Sequence, residues 1–147
     1  MASVKGVNYT KITADPIEKV DSEVLGGKLR VSYDSYEASS LASGSDITIG
    51  RIPTNATIMD VVLKCDALGG SSTLTVGDSG DADRYLAAVG TWNAAGQTQS
   101  MLGGSTAANT AMTGLGYRTT ASTDIVITTG GATISGSIHC WVMYTVE

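Results

Sequence analysis

The sequence predicts an all-β domain, a jelly-roll-like antiparallel β-sandwich preceded by a short N-terminal arm or helix. From Lys28 onward apolar residues recur at every second position, in seven or eight short runs separated by turns containing Gly, Ser, Asn or Asp. Helical periodicity is absent beyond residue 27. No self-similar repeat of solenoid or propeller length is visible. Short strands of this kind close into sandwiches or barrels. A chain of 147 residues suits one domain, here divided into an arm or short helix over residues 1–27 and a sandwich over residues 28–147.

In "ADPIEKVDSEVLGG", Asp15 reads as an N-cap, Pro16 as the first helical residue and Glu18 as the capping-box partner, with Gly26-Gly27 as the stop. Ile17, Val20 and Val24 would share one face, with Leu25 beside them. So short a helix is marginal in water, and an extended arm that orders on a neighbour is the equal alternative. "KLRVSYDSYE" then alternates Leu29, Val31 and Tyr33 with Arg30, Ser32 and Asp34, a half-buried strand. "SDITIGRIP" repeats the pattern with Ile47 and Ile49, and Gly50 marks a bulge or a close backbone approach.

Pro53 and Asn55 turn the chain into "ATIMDVVLKCD", with Met59, Val61, Leu63 and Cys65 facing one way. After Gly69-Gly70, Leu74 and Val76 share a face, and "RYLAAV" is strand or turn. "TDIVITTGG", with Ile125 and Ile127, and "ATISGSIHCWVMYTVE" close the domain. In the last strand Ile138, Cys140, Val142, Tyr144 and Val146 form one side. His139, Trp141, Met143 and Thr145 form the other.

Composition narrows the partners. The chain has no Phe, 18 glycines, 16% charged residues and a net charge of −5. Without a basic run it is repelled by nucleic acid, whose binding rests on Lys and Arg neutralising phosphates. No apolar run is long enough to cross a membrane. The first ten residues hold no apolar stretch, which predicts no secretory signal and leaves the sequons at Asn8 and Asn55 as chance. Cys65 and Cys140 are then expected as reduced thiols packed in the core, with a disulfide as the lesser alternative.

The inventory of reactive groups predicts no enzyme and no cofactor. His139 is the single histidine, and Cys140 alternates to the opposite side of its strand. Two cysteines and one histidine spread from 65 to 140 do not form a zinc signature. No phosphate-binding loop or nucleophile elbow is present. "DSGDADR" places Asp78, Asp81 and Asp83 around Gly80, oxygen ligands of a type that calcium takes. Their spacing is not that of an EF-hand, and Asp with Gly is what a β-turn requires. A structural turn, with Arg84 pairing one of the aspartates, is the expectation.

Two features point outward. "TWNAAGQTQSMLGGSTAANTAMTGLGY", residues 91–117, contains no charged residue. Small uncharged residues let another surface approach without dehydrating charge; the alternative is a wandering surface loop. The second strand faces are also not uniformly polar, carrying Ile58, Val62, Val126, Trp141 and Met143. The candidate contact residues are therefore Trp92, Met101, Leu102, Met112, Leu115, Trp141 and Met143.

Residues 50–58 form a G-x-I-P-x-x-A-x-I turn, followed by L-x-V-G-D-S-G over residues 74–80 and the pair Arg84-Tyr85. "TDIVITTGGATISGSIHCWVMYT" reads as a final hairpin. In these motifs residues 28–145 resemble small virion proteins of tailed bacteriophages, the capsid cement or decoration class. The resemblance implies a jelly-roll-like sandwich on the outer capsid surface, made in the host cytoplasm. It implies contacts with the major capsid protein and with copies of itself, often as a trimer, and no catalytic residues. The alternative is a head-fibre or tail-associated module that recognises carbohydrate, using Trp92 with Asn93 and Gln97, or Tyr85 near "DSGDAD".

Overall fold

The computed structural model describes residues 7–20, 26–89, 92, 96–103 and 113–146. A six-residue helix, α1 (Val7–Ile12), precedes the strands β1 (Arg30–Leu41), β2 (Asp46–Ile52), β3 (Ala56–Cys65), β4 (Thr73–Asp78), β5 (Asp81–Val89), β6 (Gln97–Ser100), β7 (Thr123–Gly130) and β8 (Ile134–Val146). They form two four-stranded sheets, ordered β1-β8-β3-β6 and β2-β7-β4-β5. The first strand pairs with the last, β2 with β7, β3 with β6 and β4 with β5, all antiparallel. This is one long hairpin rolled across itself, which brings β8 beside β3 and β7 beside β4. The result is the eight-stranded jelly roll that the alternation predicts.

The core lies between the sheets and is built from Ile47, Ile49, Val61, Leu63, Cys65, Leu74, Val76, Ile125, Ile127, Ile138, Cys140 and Val142, as the period of two requires. Without Phe, the largest fully buried side chains are Trp92 and Tyr85. Both cysteines are free thiols on this inner side.

Three departures from the sequence reading have local causes. A register shift between Ile58 and Asp60 reverses the parity of β3, so Ile58 enters the core and Met59 turns outward. β1 pairs Val31 with Met143 and Tyr33 with Trp141, which places its apolar residues on the outer face; Leu29, Val31 and Tyr33 are all more than half exposed. The helix lies over Val7–Ile12, whereas residues 14–20 are not helical and 21–25 fall outside the described residues. "RYLAAV" is strand, within β5. Gly50 fills both of its expected roles. The register shifts beside it, and a Cβ there would lie 3.0 Å from Ser32 Oγ.

Candidate functional site

Within the uncharged stretch, residues 92, 96–103 and 113–117 are described, and several of them pack against the sandwich itself. Trp92, 1% exposed, packs in the core, and its carbonyl accepts from Leu68 N–H at 2.8 Å. β6 then runs beside Val62–Cys65 of β3, and Met101 N–H donates to the Val61 carbonyl at 2.9 Å while its side chain enters the core. The returning segment bonds to the other half of the same edge, through Ile58 N–H to the Tyr117 carbonyl and Thr119 N–H to the Ala56 carbonyl. Glycine is required at 114. A Cβ there would sit 2.6 Å from the Arg84 carbonyl oxygen and 2.8 Å from Met101 Sδ. Trp92 and Met101 are thus core residues, and the sequence reading of them as contact residues is corrected. Leu102 is 65% and Leu115 39% exposed. Met112 lies outside the described residues.

The other two candidates come together on the outward face of the β1-β8-β3-β6 sheet. Alternation sets Ile138, Cys140 and Val142 inward, so His139, Trp141 and Met143 point out. Register then lines up Tyr33, Trp141 and Val62 in one row and Val31, Met143 and Asp60 in the next. Tyr33 packs against Trp141 with ring centroids 5.1 Å apart, and His139 stacks on Tyr33. The Tyr33 hydroxyl and His139 Nδ1 share a 2.8 Å hydrogen bond. Val62, Lys64, Thr98, Trp141 and Met143 line a groove of about 350 Å³ on this face.

Asp60, buried beside Met143 in the register, is held within the sheet. Ser100 Oγ donates to its carboxylate at 2.9 Å and Leu102 N–H at 3.2 Å. The groove is mostly apolar, with the Lys64 ammonium and the Thr98 hydroxyl in its lining. Apolar surface of this kind is the ordinary signature of a protein contact. Sequence reasoning missed Tyr33 and Val31 because pairing of the first strand with the last, and not periodicity, decides which side of β1 faces the core.

The aspartate loop has a different role. Asp78 accepts hydrogen bonds from Arg84 Nε at 2.9 Å, the Tyr85 hydroxyl at 2.8 Å and the Gly80 and Asp81 amides. Burial pushes its carboxyl up, but the Tyr85, Arg84 and Gly80 donors outweigh burial and hold it below the usual range. The Arg84 guanidinium lies 4.1 Å over the Tyr117 ring. The oxygens of Asp78 are therefore committed to a turn, as the sequence predicts. Among the described residues no group of three or more His, Cys, Asp or Glu side chains is placed to hold a metal. Tyr85, 1% exposed, and Trp92 are not open to a sugar, and Asn93 lies outside the described residues.

Phage capsid chains share this fold. A chain of the cyanophage Pam1 capsid asymmetric unit superposes with a TM-score of 0.67 and 28% sequence identity, over 84% of this chain and 88% of that one. A chain of the capsid of Ralstonia phage GP4 gives 0.60 at 16% identity, over 82% and 86%. One from the acidic stable capsid of Helicobacter pylori bacteriophage KHP30 gives 0.58 at 10%, over 80% and 87%. No protein-family model matches the sequence, and neither does any curated protein.

Proposed function

We propose that this chain is a structural protein of a tailed-phage virion. In this reading it is a capsid cement or decoration subunit that stabilises the shell by protein–protein contact. It sits on the outer capsid surface, is made in the host cytoplasm, and touches the major capsid protein and copies of itself in a homo-oligomer, with a trimer favoured. It has no catalytic role. The observation that carries the reading is the likeness to the Pam1 capsid chain, which extends to 28% identity over most of both chains. The outward face of the β1-β8-β3-β6 sheet supports it independently, as a surface suited to burial against another protein.

The test is reconstitution. Purified chain, added to phage shells that lack it, is expected to co-sediment saturably and to raise the temperature at which the shells disassemble. A bound partner stabilises by mass action, about 2.7 kcal/mol when the free subunit is at 100 times its Kd. Shells that neither take up the chain nor gain heat resistance would overturn the reading.

A further inference from the structure

The arm and the groove carry matching patterns. Along the outward side of β3, Asp60, Val62 and Lys64 stand at every second position, and Val62 and Lys64 line the groove with Trp141 and Met143. In the arm, Asp15, Ile17 and Lys19 stand at every second position too, outside α1. Run antiparallel, the two sequences set the Asp15 carboxylate against the Lys64 ammonium and Ile17 against Val62; Asp60 is buried and its carboxylate is held by Ser100 and Leu102. Ile17 is 76% exposed, more than any other large apolar residue among those described. Lys64 is exposed, and the ion pairs among the described residues belong to Arg51 and Arg84.

We propose that this groove seats the arm of a second copy of the chain, with Ile17 against Val62, Trp141 and Met143 and Asp15 on Lys64. The proposal rests on the reading of this face as the assembly surface and names one occupant for it. In the single chain Ile17 stays in water, so the arm does not cover its own groove. The same two surfaces on two copies satisfy each other by exchange, and closed assemblies repeat such a contact. Reach allows it. The residues between Ile17 and Arg30, extended at ~3.3–3.6 Å each, span roughly 45 Å, more than the ~30 Å width of a small domain.

Cross-linking tests it with the full chain. Cys65 and Cys140 are buried, so introduced surface thiols react alone. An Ile17→Cys chain and a Met143→Cys chain, carrying different tags and mixed under mild oxidation, are expected to form a mixed disulfide in preference to either self-disulfide. No mixed disulfide would overturn the proposal. So would a bridge that forms only within one Ile17→Cys, Met143→Cys chain at high dilution.

Charge reversal gives a second measure. Lys64→Asp or Asp15→Lys alone is expected to weaken association of copies about tenfold at low salt, and the two together to restore it. Failure of the pair to restore association would also sink the idea. Copies that link yet do not bind shells leave this proposal standing and overturn the virion reading; shells that bind unlinked copies do the reverse.

Discussion

Asp78 commits both carboxylate oxygens to holding one turn, with Arg84, Tyr85 and two backbone amides as donors. Its side chain is 4% exposed and that of Arg84 16%. Truncation would leave a guanidinium and a phenol facing a hole. Asp78→Ala is expected to cost about 3 kcal/mol, roughly a 10 °C fall in Tm, read by calorimetry. The carboxyl titrates below its unfolded value, so its contribution is complete above the unfolded pKa near ~3.9 and fades as pH falls through the lower, folded one. Acid unfolding of Asp78→Ala should accordingly be shallower in that window. Burial, with smaller help from Asp66 and Asp34, pushes the thiols of Cys65 and Cys140 up to about 12. Thiol reagent at pH 8 is expected to leave the native chain unlabelled and to find both cysteines after denaturation.

At the scale of elements, buried threonines fasten the turns. Thr119 Oγ1 donates to the Pro53 carbonyl at 2.7 Å and accepts from Ala56 N–H at 2.9 Å, tying the returning segment to the turn between β2 and β3. Thr119→Val keeps the shape and removes both bonds, for an expected loss of about 2 kcal/mol, roughly 5 °C by thermal melting.

Thr129 does the same for the turn between β1 and β2, through the Ala42 and Ser45 carbonyls. The strands with apolar alternation, β2, β4, β7 and β8, were legible in the sequence because burial imposes the period. β6 was not, since Gln97–Ser100 has no apolar residue and is held by the edge of β3 alone. Nor was the side of β1 that faces out, or the parity reversal at Met59, because both depend on a partner strand. The outward placement of Trp141 and Met143 was readable for the same reason. Trp141 and Met143 stood on the wrong side of a strand whose other side was plainly core, whereas Trp92 and Met101 looked like surface only because their neighbours are small and uncharged.

For the whole molecule, the outward sheet face is the surface that the proposed assembly would cover. Trp141 sits at its centre, flanked by Tyr33 and Val62 in one row. Trp141→Ala is expected to weaken association of copies at least about 30-fold by sedimentation while circular dichroism still reports the folded sandwich.

The rolled hairpin also sets an order of events during synthesis. Tyr33 and His139, hydrogen-bonded across the outermost pair, are 106 residues apart. At ribosomal speeds of ~5–20 residues per second, β1 waits roughly 5 to 20 s for β8 to emerge. Through that interval Leu29, Val31 and Tyr33 sit on a strand with no ladder to join, so the nascent chain is open to misassociation until β8 has emerged.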